Sequence, residues 1–154
     1  MMRISKITFS IFLGMFIWLQ SSAQKNSFDA DFTQLAVFSE QADYKAGYFY
    51  AKKLIAAIVK KDATNEIDLL RSNCYLALFA DKLDRKEEVS EASRQIQKYV
   101  PALLNEANKN RVARTYNVLC DFYFQRGIYT KTDSIHYSLK TILPSLPSYD
   151  RELI

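Results

Sequence analysis

His136 is the only histidine in a chain of 154 residues, and Cys74 and Cys120 are the only cysteines. A structural zinc site takes four nitrogen, sulfur or oxygen ligands and a catalytic one takes three. One histidine and two separated cysteines do not make such a set, so no metal site is expected. Cys120 and His136 have the residue types of a thiol nucleophile and its base. That chemistry needs the two in hydrogen-bond contact and a third group orienting the imidazole. No third residue has recognisable context, and ordinary packing is the expectation for both. Asp84, Glu87, Glu88 and Glu91 crowd one stretch, but Lys82, Arg85 and Lys86 are interleaved with them. Carboxylates that exchange protons in catalysis need distinct, partly buried environments. This cluster has the pattern of a solvated helix face. No glycine-rich phosphate loop, serine elbow or calcium-binding loop occurs in the sequence. Neither a catalytic residue nor a cofactor is expected, and the chain does not read as an enzyme.

The N-terminus carries the clearest signal of destination. Arg3 and Lys6 precede an uncharged, mostly apolar run from Ile7 to Leu19, followed by Gln20, Ser21, Ser22 and Ala23. That order is the signature of a secretory signal peptide, with cleavage expected before Gln24. The apolar run is shorter than the roughly 20 residues that cross a bilayer. The expectation is therefore residues 1–23 as signal peptide, residues 24–154 as one exported domain, periplasmic or secreted, and no membrane span in the mature chain. The formal charge of +4 includes Arg3 and Lys6, so the mature chain carries only about +2, too weak and too evenly spread for nucleic acid to be an expected partner. Export permits a disulfide between Cys74 and Cys120. Both lie in apolar helical patterns, where a free thiol packs as a small hydrophobe, and that is the expected state, with a bridge as the alternative.

The elements that would position these residues are helical. Glycine and proline are scarce, and no stretch sustains the alternation of a strand. Apolar residues recur instead at helical spacing. Phe28, Phe32, Leu35, Ala36 and Phe38 make one stripe, and Tyr44, Tyr48, Ala51, Ile55 and Ile58 a second, capped by Asp43. Thr64-Asn65 caps a third, through Ile67, Leu70, Cys74, Ala77 and Leu78. Asp84 is the expected cap of a fourth, carried by Val89, Ala92, Ile96 and Val100. Val112, Tyr116, Leu119, Cys120 and Tyr123 form a fifth. Gly127 suits the turn that ends it, and Thr130-x-x-Asp133 has the form of a capping box for a sixth, through Ile135, Leu139 and Ile142 to Pro144. A shift of 43 residues carries Leu76 onto Leu119, Ala77 onto Cys120, Ala80 onto Tyr123, Ile96 onto Leu139 and Pro101 onto Pro144. A shift of 42 carries Leu35 onto Ala77 and Leu54 onto Ile96.

In the last unit, Tyr116-x-x-Leu119-Cys120-x-x-Tyr123, Gly127-x-Tyr129, Leu139 and Pro144 together resemble the tetratricopeptide repeat. The small residue lets paired helices approach, the aromatics fill wedges between units, and the proline ends the pair. Thr132 and His136 stand where that family has alanine and a large apolar residue. Asn73 stands where the middle unit would have its aromatic, and the period exceeds the usual length of about 34 residues. The resemblance implies an all-α, right-handed superhelix of about three antiparallel helix pairs, in units near 28–61, 70–103 and 113–146. Leu76, Ile96, Leu119 and Leu139 would lie in its apolar spine. It also implies a concave face that holds an extended peptide. Carried over by register, that face is Arg71 and Leu78 in the middle unit, and Arg114, Asn117, Asp121 and Phe124 in the last. Arg71 and Arg114 are one repeat apart and could together grip a carboxylate.

The function expected is a non-enzymatic protein–protein interaction scaffold, with a protein or peptide as partner. The alternative is the sensory input region of a membrane signalling receptor. Pro147 to Ile154 has the form of another first helix. This suggests a shortened relative of a longer repeat protein, or an end that docks on a partner or a second copy.

Overall fold

The structure is a computed structural model that describes residues 28–142 and 144. The expected signal peptide and the helix start at Pro147 lie outside the described residues. Among the described residues, 28–31 fall outside the compact unit that begins at Phe32. The described residues form six α-helices and no strand: α1 (Asp29–Glu40), α2 (Tyr44–Lys61), α3 (Glu66–Lys82), α4 (Lys86–Tyr99), α5 (Lys109–Gln125) and α6 (Tyr129–Ile142). None is long and apolar enough to cross a membrane.

Helix starts follow side-chain caps where the sequence supplies them. Asp43 accepts from the Ala46 N–H at 3.1 Å, Asn65 from that of Asp68 at 3.4 Å, and Asn108 from those of Asn110 and Arg111 at 3.1 and 3.3 Å. Such a bond satisfies an amide that the helix itself leaves unpaired. Capped by Asn65 and Asn108, α3 and α5 begin at Glu66 and Lys109, four residues before the expected unit bounds. Two expected caps are corrected. Asp84 does not cap α4, because the chain needs it in the turn, and Arg85 takes the cap position without a side-chain bond. Thr130 lies inside α6, which begins at Tyr129, so Thr130-x-x-Asp133 falls one turn too late for a capping box. Pro101 does not end its unit abruptly either. Helix α4 ends at Tyr99, and Val100–Leu104 tightens into a 3-10 segment with the proline near its start, where its missing N–H is harmless.

The bounds of α3 and α4, displaced by 43 residues, are those of α5 and α6. The turn within each pair repeats as well. Ala42, Asp84 and Gly127 have φ of 55°, 54° and 70°. In each turn the next residue's N–H reaches back five positions: Asp43 to the Phe38 carbonyl at 3.0 Å, Arg85 to Ala80 at 2.9 Å, Ile128 to Tyr123 at 2.9 Å. This is the Schellman arrangement, which closes a helix with one left-handed residue. Only the third turn uses glycine for it.

The pairs pack around α3, which contacts α2, α4 and α5 and buries Leu69, Leu70, Cys74, Ala77, Phe79 and Ala80 among others. Of the four expected spine residues, Ile96, Leu119 and Leu139 are buried. Leu76 is only half-buried, and is corrected here. A close approach that the sequence did not advertise joins the first two pairs: a Cβ on Gly47 would stand 2.6 Å from the Phe79 ring. Two polar nodes tie pairs together. The Tyr48 hydroxyl donates to Glu88 at 3.1 Å and accepts from Lys52 at 3.3 Å, with the Arg85 guanidinium 4.4 Å from the ring centroid. Arg111 donates to Asn65 at 2.8 Å, Asp68 at 3.0 Å and Glu106 at 2.8 Å.

The turns make a matched stability series, read by urea denaturation. Ala42→Gly and Asp84→Gly should each raise stability by about 0.5–1 kcal/mol by relieving the left-handed strain, and Gly127→Ala should lower it by about 1 kcal/mol. Gly47→Ala should lower it by about 1–3 kcal/mol, because a methyl must displace the Phe79 ring.

Candidate functional site

The first helices of the three pairs, α1, α3 and α5, line one cleft of about 510 Å³. Helix α3 contributes Arg71 and Tyr75, and α5 contributes Arg114, Asn117 and Val118. The opposite bank is α1, through Phe32, Thr33, Ala36 and Glu40. The repeat places these residues in rows. Arg71 and Arg114 occupy one register position, and Thr33, Tyr75 and Val118 occupy the position one helical turn further on.

Arg71 is held on two sides. Its guanidinium lies 4.1 Å from the centroid of the Phe32 ring, a cation–π geometry, and its charge acts on the neighbouring Tyr75 phenol. Burial pushes the Tyr75 phenol up from its ordinary value, against the pull of the Arg71 cation, so the phenol stays protonated and able to donate. A planar guanidinium fixed in this way suits a carboxylate, which accepts two parallel N–H bonds.

Of the six residues carried over by register, Arg71, Arg114 and Asn117 meet at this cleft. Leu78 is corrected: it is buried, and its side chain belongs to the core. Asp121 and Phe124 are exposed and lie outside the lining. Phe124 instead meets Tyr129 edge to face, with centroids 5.7 Å apart. Loss of hydration against the surrounding protein raises the Asp121 carboxyl above its ordinary value. The α1 bank was missed because Phe32 and Ala36 read as core positions of the first apolar stripe. The signal that could have found it is the same register shift, which aligns Thr33 with Tyr75.

The cysteine and histidine also meet. Cys120 Sγ lies 3.3 Å from His136 Nε2, and His136 is exposed rather than packed, contrary to the register expectation. The electrostatics oppose a thiolate. Burial raises the Cys120 thiol pKa, and the carboxylates of Asp121 and Asp133 raise it further. A nucleophilic cysteine needs the opposite shift. Burial raises the Cys74 thiol far above its usual range. Both cysteines are free thiols in the core, so the bridge is not formed. No group of three metal-ligating side chains occurs among the described residues.

No family model matches this chain. Neither the curated proteins nor the solved structures gave a match.

Two measurements probe these environments. Neither cysteine should react appreciably with a disulfide reagent in the folded state at mildly alkaline pH, and both should react in urea; fast titration of Cys120 in the native protein would refute the raised thiol. A raised carboxyl binds its proton more tightly when folded. The Asp121 charge therefore weakens the fold above that pKa, and the effect fades as pH falls through it. Asp121→Asn should raise the urea midpoint near neutrality and leave it unchanged below the ordinary carboxylate range.

Proposed function

We propose that this chain is an exported, non-enzymatic interaction scaffold. In this reading its helix pairs stack as a short right-handed superhelix like that of tetratricopeptide repeats, and the α1/α3/α5 cleft holds an extended segment of a protein partner. The observation that carries the reading is the convergence of Arg71 and Arg114, one repeat apart in sequence, on a single cleft. A groove built from successive first helices is the surface that repeat solenoids offer to extended ligands. Export rests on the charged, apolar and small-residue order of residues 1–23.

The chemistry of the cleft fits a segment that carries a carboxylate. The two guanidiniums supply charge-assisted donors, and the half-buried Ala36 supplies apolar contact beside them. Asn117 can bond a backbone amide of an extended chain, since its side chain both donates and accepts. Glu40 places an acid at the α1 side, which disfavours a uniformly acidic ligand and sets a direction along the groove.

An array of extended peptides, each with a free and an amidated C-terminus, tests this reading by fluorescence anisotropy. Peptides bearing a carboxylate should bind, and Arg71→Ala/Arg114→Ala should weaken them by about tenfold or more, the size expected from losing charge-assisted hydrogen bonds. Unchanged affinity in the double variant, or no binding by any peptide, would sink the proposal.

A further inference from the structure

A second concavity, of about 330 Å³, lies between α2, α3 and α4. Its α3 residues, Leu69, Asn73 and Leu76, fall on the opposite side of that helix from Arg71 and Tyr75 by helical periodicity. It is therefore a different surface from the peptide cleft, and an occupant here is independent of one there.

The repeat register explains why this concavity exists. In the last unit Tyr116 stands one turn before Leu119, and Leu119 is 1% exposed. In the middle unit the equivalent pair is Asn73 and Leu76, and Leu76 is only half-buried. Asn73 does not fill the space that an aromatic would take. Its amide folds back and donates to the Leu69 carbonyl of its own helix at 2.8 Å. What remains is an apolar floor of Ile55, Val59 and Leu76, with Val59 half exposed. The groove continues the seam along which α2 and α3 already pack.

The rim is polar and carries both signs. Lys52 projects from α2, and Glu91 and Gln95 from α4. Glu91 is held ionised by hydrogen bonds from Gln95 and Arg94. Tyr99 adds an aromatic wall at the far end of α4. An apolar floor under a ring of donors and acceptors matches a side chain with an apolar body and a polar tip. Its volume is at the small end of the range for ligand sites, which suits one ring.

We propose that this groove receives one tyrosine side chain from a protein partner, the ring lying over Leu76 where the repeat lacks its own aromatic and the hydroxyl meeting the Lys52–Glu91 rim. The occupant is set by the register, which holds a tyrosine at the equivalent place in the last unit, and by the polar rim, where Lys52 and Glu91 can add a hydrogen bond to a hydroxyl that a phenylalanine lacks.

The test uses N-acetyltyrosinamide as probe for the partner's side chain, with the methyl groups of Ile55, Val59 and Leu76 followed by NMR in the full chain. The expected result is saturable shifts of those methyls by the tyrosine probe, weaker shifts by N-acetylphenylalaninamide, and none by N-acetylalaninamide. Asn73→Tyr should fill the groove from within, abolish the shifts and raise the melting temperature. No saturable shift at the three methyls, or equal shifts in Asn73→Tyr, would overturn the proposal. So would an Asn73→Tyr protein that loses helicity or melts lower than the parent, since the space would then not fit a ring. Lys52→Ala, on the exposed rim, should weaken the tyrosine probe several-fold and leave the phenylalanine probe unchanged.

Discussion

Helix α3 must be covered on almost every side, and the arrangement of the other helices answers that need. Its buried residues run from Ile67 to Ala80 and include Leu69, Leu70, Cys74, Tyr75, Leu78 and Phe79, which do not share one stripe. A helix apolar around most of its circumference cannot sit at a surface. Covering it takes α2 on one flank, α4 as its hairpin partner and α5 on the other flank. Burying a side chain of leucine or phenylalanine size contributes about 1.5–3 kcal/mol. The burial in this one helix is thus a large part of what opposes chain entropy. The approach of α2 is as close as it is because Gly47 has no side chain to meet the Phe79 ring.

The covering helices are delivered by one turn used three times. Each pair closes on a left-handed residue, with the same five-residue hydrogen bond. The second and third pairs repeat their bounds with a displacement of 43 residues, so equivalent side chains of α3 and α5 share register positions. That regularity makes a groove out of scattered residues: Arg71 and Arg114 are far apart in sequence, yet they line one cleft. Alanine and aspartate in two of the turns show that hydrogen bonding and packing outweigh a local strain of about 1 kcal/mol.

Polar nodes then fix how neighbouring pairs sit. Arg111 bridges Asp68 of α3 and Glu106 before α5, with all three side chains largely buried. A charge placed there without its partners would lose hydration without compensation. The node therefore disfavours other registers of α3 against α5. Tyr48 does the same between α2 and α4, its ring under Arg85 and its hydroxyl on Glu88.

The amino-acid sequence by itself determined the helices, their pairing and the 43-residue period. These depend on local propensities, caps and apolar spacing, all of which act within a turn or two of chain. Asp43, Asn65 and Gly127 did what their chemistry implies, and Arg71, Arg114 and Asn117 were legible as one face because the period is regular. The exceptions were decided by tertiary structure. Asp84 was drawn from cap to turn because the hairpin closure needs that position. Leu78 turned inward because α3 is enclosed, and Leu76 stayed half open at the concavity between α2, α3 and α4. The α1 bank of the cleft and the contact between Cys120 and His136 join residues distant in sequence. No local pattern records such contacts, since they form only when separate helices share a surface.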